Sequence, residues 1–217
     1  MGTAEKNGPS AKKTSEAVTL YHFPRTHTTR VRWWLEEARI AYRSELIDIR
    51  HGAQDKEEFR KISPLGRIPV LVDGDIVLRD SLAICLYLGF RFPDSGLCPK
   101  VNTRGLAEYF QWLVLANSDL DRVVGRFYGA HRARLIGDVQ RALALTQDSF
   151  LKLSSIYDAQ LEDSPFLLGD KLSGADIFTA SILAFADSIG LVPTRGPVRN
   201  WLDRMIQLPS YARALAP

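Results

Sequence analysis

The sequence contains little cysteine, which excludes a small fold held together by disulfide bonds. Two cysteines, Cys85 and Cys98, occur among 217 residues. The first lies in an apolar run and the second beside a proline, which favours two unpaired thiols in a reducing compartment. A chain of this length buries a full hydrophobic core without such links. We therefore expect a cytoplasmic protein.

Long hydrophobic runs are also missing from the sequence. No stretch of about 18 apolar residues occurs, so the sequence predicts no transmembrane helix and no membrane partner. Residues 1–17 contain no apolar block like that of a signal peptide. We expect these residues to form a loose tail.

Neither sign of charge dominates. The chain has 28 Lys and Arg residues against 25 Asp and Glu residues, for a formal net charge of +3. The basic residues alternate with acidic ones, which favours a solvated surface over a nucleic-acid patch. We expect no nucleic-acid partner.

Residues 18–94 predict a small mixed sheet with helices packed against it. Apolar and β-branched runs indicate strands, helical spacing of apolar residues indicates helices, and the Asp73-Gly74 turn indicates a hairpin. The strand patterns occupy residues 18–24, 42–49 and both halves of 67–78, and the helical patterns occupy 26–41, 54–62 and 81–92. We expect the last helix to begin with Ser81 as its N-cap and to end before Pro93.

The second half of the chain predicts an all-helical unit. Residues 95–104 contain turn-forming residues without periodicity and are interpreted as a linker. Beyond it strand signals stop, and residues 105–217 carry helical patterns at 105–131, 134–161, 173–189 and 197–207. The predicted fold class is therefore an α/β domain followed by an all-α domain.

A proline interrupts the first strand of the predicted hairpin. Proline is tolerated in a strand only at an edge or a bulge, and its other special use is a cis peptide bond. Either arrangement at Ile68-Pro69 leaves the main chain of Ile68 free to pair with an extended peptide ligand. The alternative is that Pro69 only ends the strand pairing at an edge and that no ligand binds there.

An acid and a hydroxyl follow the hairpin where the next helix begins. The Ser81 hydroxyl and the first helical N–H groups can hold a carboxylate, while the Asp80 side chain can take an ammonium group. One end of an amino acid would satisfy both residues. The alternative is helix capping alone.

These residues belong to a pattern that resembles a known family. The stretch SPLGRIPVLVDGDIVLRDSLAICLYL, residues 63–88, is similar to the signature of the cytosolic glutathione transferases, in all its punctuating residues. A second match, LSGADIFTA, resembles the buried Ser/Thr-x-x-Asp box of the family, in which Ser173 and Asp176 can satisfy each other's backbone donors. The resemblance covers about residues 18–211 and leaves the class within the family unassigned.

The resemblance implies a thioredoxin-like domain over residues 18–94 that binds glutathione as a substrate. It implies that Ile68 pairs with the cysteinyl part of glutathione beside a cis-Pro69, and that Asp80 and Ser81 hold the γ-glutamyl end. Gln54 stands where some classes place a residue near the glycine carboxylate, and Arg67 would assist as a cation.

The resemblance also implies a residue that stabilises the glutathione thiolate at the start of the first helix. Many members carry Tyr, Ser or Cys there, but residues 23–30 read FPRTHTTR. We predict Thr26 as the thiolate donor, with Arg25 and Thr28 as alternatives, while helix capping accounts for at least one threonine. His22 and His27 lack the further ligands that a metal site needs, so we expect no metal.

In the helical half, the resemblance implies a pocket for a small hydrophobic electrophile. Tyr109, Leu113 and Asn117 share a helical stripe and are the predicted substrate-binding residues, although such a stripe is also typical of a core. The family is usually homodimeric. Two functions follow as alternatives: a transferase or related glutathione-dependent enzyme, and a non-catalytic binding or scaffold protein in stress response.

Overall fold

The computed structural model describes residues 17–132 and 139–216. The strands are β1 Val18–His22, β2 Tyr42–Leu46, β3 Val70–Asp73 and β4 Ile76–Leu78. The helices are α1 Thr28–Glu37, α2 Glu57–Ile62, α3 Ser81–Arg91, α4 Arg104–Leu115, α5 Asp121–Arg132, α6 Val139–Glu162, α7 Gly174–Ser188, α8 Pro197–Ile206 and α9 Pro209–Leu215. A π-helical segment, Ala116–Leu120, joins α4 to α5. The predicted tail, apart from residue 17, and the first residues of the predicted 134–161 helix lie outside the described residues.

The four strands form one mixed sheet in the order β2-β1-β3-β4. β1 is parallel to β2 and antiparallel to β3, and β3 and β4 form the predicted hairpin. In β1, Val18, Leu20 and His22 are buried while the residues between them are half-buried, which is the period of two expected for a strand. The predicted α/β fold of the first part is confirmed.

Helix α1 lies between the sheet and the helical half of the protein. Its first eight residues, 28–35, are all buried. This part of α1 is therefore covered on every side and has no solvated stripe. Trp33 and Trp34 are fully buried, so each contributes a large apolar surface to the core.

Helix α9, which the sequence patterns did not predict, packs against α1. Ser210 accepts a hydrogen bond from Trp33 Nε1 at 3.1 Å, and Arg213 donates to Glu36 Oε2 at 2.7 Å. Near the end of α9, the carbonyl of Ala216 accepts a hydrogen bond of 2.5 Å from Arg32. Polar contacts therefore hold α9 along the second half of α1.

The buried Ser173–Asp176 box at the start of α7 is confirmed. Asp176 Oδ2 accepts hydrogen bonds from the main chain of Ser173 at 3.0 Å and from its hydroxyl at 2.6 Å. Asp176 Oδ1 accepts from the N–H of Leu167 at 2.8 Å, so this carboxylate also fixes the preceding loop. Among the described residues, no helix is long and apolar enough to cross a membrane.

Candidate glutathione site

The chain just before the inner strand β3 presents an unpaired piece of main chain at Ile68. The Ile68–Pro69 peptide bond is cis. Within residues 17–132 and 139–216, neither the N–H nor the C=O of Ile68 has a hydrogen-bond partner. The preceding loop is held by Ser63, whose hydroxyl donates to the carbonyl of Arg67 at 2.8 Å and accepts from its N–H at 3.0 Å. Ile68 thus offers one donor and one acceptor to a peptide ligand.

The start of α3 differs from the prediction in its capping residue. Asp80, not Ser81, is the N-cap: its Oδ1 accepts from the N–H groups of Leu82 and Ala83 at 2.9 and 3.0 Å. A carboxylate caps as well as a hydroxyl, and it suits the positive end of the helix dipole. Asp80 Oδ2 has no partner among the described residues, and Ser81 is the first helical residue.

The hydroxyl protons at the start of α1 are already used. The Thr26 hydroxyl donates to the carbonyl of Phe23 at 2.8 Å, and Thr26 Oγ1 lies 2.8 Å from Thr28 Oγ1. Since a hydroxyl carries one proton, Thr28 donates to Thr26, and Thr28 is fully buried. In this arrangement neither threonine has a proton to give to a thiolate.

Arg25, the other predicted thiolate partner, is exposed in the turn before α1. Its backbone is left-handed, with φ of 57°, and its side chain makes no hydrogen bond or ion pair within the described part of the chain. A guanidinium here can approach an anionic ligand as a charge, but it has no protein contact that orients it.

A charged cluster that sequence reasoning missed joins α1 to α5. Arg30 donates to both carboxylate oxygens of Asp121, at 3.2 and 3.3 Å, and its guanidinium lies 4.5 Å from the ring centre of Phe178. His27 Nε2 lies 3.6 Å from Asp121 Oδ2. Since Asp121 is 91 positions from Arg30, no local pattern could have paired them.

The residues predicted near the glycine carboxylate lie beside the loop before β3, where a β-carbon on Gly66 would lie 2.8 Å from the carbonyl oxygen of Gln54. Gln54 donates from Nε2 to Asp55 at 3.0 Å, while its Oε1 is buried without a hydrogen-bond partner among the described residues. Arg67 is exposed, and its side chain makes no contact that fixes it within that part of the chain. Arg67 is free to pair with a carboxylate.

Two of the three predicted substrate-binding residues belong to the core instead. Tyr109 and Leu113 are 0 % exposed, so neither side chain lines an accessible pocket, which corrects the prediction for both. The aromatic stripe of α4 packs inward against α7, where Tyr109 lies next to Gly174. Asn117 is half-buried in the π-helical segment, and π-helical turns often occur at functional sites.

The thiols of the protein itself are poor nucleophiles. Burial raises the pKa of Cys85 to about 12, and burial also raises the pKa of Cys98 above its ordinary value. Because the thiolate is the reactive form, thiol chemistry at neutral pH has to come from a bound ligand. Among the described residues, no group of three or more His, Cys, Asp and Glu side chains could hold a metal ion.

A mixed sheet with a cis-proline just before its third strand, followed by helices, is the thioredoxin-like and all-helical architecture that the signature implies. Two family models match: the N-terminal domain of glutathione S-transferase over residues 26–89 and its C-terminal domain over residues 130–204. The chain belongs to the glutathione S-transferase family. Glutathione is the substrate of that family.

Individual proteins agree with this assignment. A glutathione S-transferase of Triticum aestivum is 31 % identical over 188 residues, which cover 82 % of this chain and 85 % of the wheat protein. The disulfide-bond oxidoreductase YfcG of Escherichia coli is 29 % identical over 209 residues, covering 91 % of this chain and 94 % of that protein. The crystal structure of poplar glutathione transferase F1 has a TM-score of 0.80 at 26 % identity, covering 93 % and 97 % of the two chains.

Proposed function

We propose that this protein binds glutathione and uses its thiolate to attack a small hydrophobic electrophile. The observation that carries the proposal is the unpaired main chain of Ile68 beside cis-Pro69. In the proposed complex the cysteinyl part of glutathione pairs in extended form with Ile68, which supplies two backbone hydrogen bonds.

The ends of glutathione are assigned to charged and polar groups around Ile68. We place the γ-glutamyl ammonium on the free Oδ2 of Asp80, and its carboxylate at Ser81 and the start of α3. We place the glycine carboxylate near Gln54 and Arg67. We place the electrophile between the start of α1 and the helical half. Asn117 is its proposed contact there.

A second candidate reaction is disulfide exchange by bound glutathione. It is favoured by the absence of Tyr, Ser and Cys from residues 23–30 and by the likeness to YfcG over 91 % of this chain. In transfer, the sulfur forms a C–S bond while a leaving group departs. In exchange, it forms an S–S bond while the second sulfur leaves as a thiol.

We also propose that the protein is a homodimer. Apolar side chains of β4, α3 and α4 are exposed, and the rings of Phe90 and Phe110 lie 6.3 Å apart on this surface. A patch of this kind marks an interaction site. Sedimentation equilibrium is expected to give twice the chain mass of 24.3 kDa, and replacing Phe110 by Glu should shift it to the monomer.

Retention on immobilised glutathione, followed by turnover assays, tests the proposed function. We expect retention and consumption of glutathione with an aryl halide, giving a thioether, or with a small dialkyl disulfide, giving a mixed disulfide. The product identifies which reaction dominates. Retention without either product would indicate the scaffold function, and failure to bind glutathione would remove the proposal.

A further inference from the structure

We propose that His27 is the base that takes the thiol proton of bound glutathione, and that Asp121 is the residue that positions it. This inference rests on the proposed function, because it assigns the activating group of that site. It replaces Thr26 as the expected activator.

His27 lies at the start of α1, where the resemblance to the family places the thiolate partner. It is the residue directly before the first turn of α1, and its side chain is 62 % exposed, so it faces open space rather than the core. Its Nε2 lies 3.6 Å from Asp121 Oδ2, whereas its Nδ1 makes no hydrogen bond within the described part of the chain. The carboxylate favours a proton on Nε2, which leaves the Nδ1 lone pair to accept one.

Asp121 is held so that it cannot turn away from the imidazole. Both of its oxygens are bound by Arg30, whose side chain is 4 % exposed and therefore nearly immobile. The π-helical segment ends at Leu120, directly before Asp121. A carboxylate, an imidazole and a nucleophile in this order form the usual arrangement for activating a nucleophile.

The charges around His27 suit a base that is neutral before reaction. Desolvation by the surrounding atoms, and then the Arg30 guanidinium on α1, lower the pKa of His27 below its ordinary value. Asp121 on α5 and Asp80 at the start of α3 act in the opposite direction. The imidazole is thus neutral before reaction. The two carboxylates and the adjacent thiolate then stabilise the imidazolium that forms, and this coupling lowers the pKa of the thiol.

The proton balance of the step is simple. The thiol S–H bond breaks, the proton moves to Nδ1, and the electron pair stays on sulfur, so a neutral pair becomes a thiolate–imidazolium pair. After sulfur attacks, the proton passes to the leaving group or to water. The neighbouring threonines cannot replace this step, since a neutral hydroxyl is a far weaker base than imidazole. Each also uses its single hydroxyl proton elsewhere, so neither donates to the thiolate.

A thiolate absorbance titration of glutathione bound to the full-length protein tests the proposal. In the His27→Gln variant we expect glutathione affinity within about threefold of wild type, a thiol pKa raised toward its ordinary value of about 8.5, and kcat/KM at pH 7 lowered about 100-fold. His51→Gln removes an exposed imidazole elsewhere and should leave all three unchanged. An unchanged thiol pKa in His27→Gln would overturn the proposal. A thiol pKa that rises in Thr26→Val but not in His27→Gln would overturn it as well.

Asp121→Asn removes the carboxylate charge beside His27 while keeping one oxygen as an acceptor for Arg30. We expect the pKa of His27, followed by its imidazole resonances in NMR, to fall, and the rising limb of the pH profile of kcat/KM to move to lower pH with it. A loss of activity with neither shift would show a merely structural role and contradict the assignment. If wild type itself fails to bind glutathione, the proposed function fails instead, and the two outcomes are therefore distinguishable.

Discussion

Gly174 lies so close to Tyr109 that no side chain fits between them. A β-carbon built on Gly174 would lie 2.7 Å from Tyr109 Oη and 2.7 Å from Trp34 Nε1. Gly174 is the first residue of α7, and its N–H donates to the carbonyl of Leu97 at 2.7 Å. The missing side chain therefore sets how closely α7 approaches α4 and α1.

Gly174→Ala is expected to lower the free energy of unfolding by about 1–3 kcal/mol, because a fully packed site must shift to admit the methyl group. Urea denaturation measures the change. Gly125→Ala is the matched control: a β-carbon there meets nothing within 4 Å, so we expect stabilisation of up to about 1 kcal/mol. Tyr109→Phe should recover part of the loss in the Gly174→Ala background and leave turnover unchanged.

Asp80→Asn separates the two roles of this side chain. Asn caps a helix about as well as Asp, so we expect the free energy of unfolding to change by less than about 0.5 kcal/mol. A hydrogen bond to a charged group contributes about 1.5–3 kcal/mol, so the dissociation constant of glutathione should rise roughly 10- to 100-fold. Calorimetric titration measures this change.

A glutathione analogue without the γ-glutamyl ammonium is the control for Asp80→Asn. Its affinity should be the same for wild type and variant. Equal weakening of both ligands would show that the substitution disturbs the site generally and that Asp80 does not bind the ammonium.

His22 makes stability depend on pH. Burial, and then the Arg32 guanidinium, lower the pKa of His22 to about 4, whereas the unfolded chain titrates near 6.5. As pH falls from 6.5 to 4, the unfolded state takes up a proton that the folded state does not. Stability that is complete above 6.5 is thus lost over this window, by at most about 3 kcal/mol.

Urea denaturation of His22→Gln between pH 7 and 4.5 checks this dependence. The variant lacks the imidazole, so the stability advantage of wild type should shrink as the pH falls. If the difference in free energy of unfolding between wild type and variant stays constant with pH, His22 is not the cause of the pH dependence. At pH 7 the variant also loses the 2.7 Å contact between His22 Nε2 and Ser44 Oγ.

Arg30→Met breaks a buried ion pair and leaves Asp121 without its main partner. We expect a loss of about 3–5 kcal/mol in the free energy of unfolding. Arg104→Met removes an exposed i,i+4 pair with Glu108, and should cost less than about 1 kcal/mol because water screens it. If the two variants lose the same free energy of unfolding, burial does not make the Arg30–Asp121 pair more important for stability than an exposed pair.

Local patterns predicted the sheet and most helices because those elements depend on neighbours in sequence. The hairpin at Asp73-Gly74 and the box at Ser173 and Asp176 are of this kind. The short helix α9 was not predicted, because a helix of seven residues that begins at a proline shows little periodicity.

The site was only partly predictable for a related reason. The Ile68-Pro69 pair and Asp80 lie in one continuous signature, whereas the contact of His27 with Asp121 depends on how the two halves of the chain meet. The stripe containing Tyr109 and Leu113 was ambiguous, since core and pocket both select apolar side chains at helical spacing. Burial in the folded protein decides between them.

Helix α1 is fastened to the helical half at both ends. Arg30 and Asp121 tie its first turn to α5, while Trp33 and Glu36 tie its later turns to α9. We expect this double anchoring to oppose rotation of the sheet relative to the helical half. Under the proposed function, choice among electrophiles would then depend on the shape of the pocket rather than on closure around the substrate.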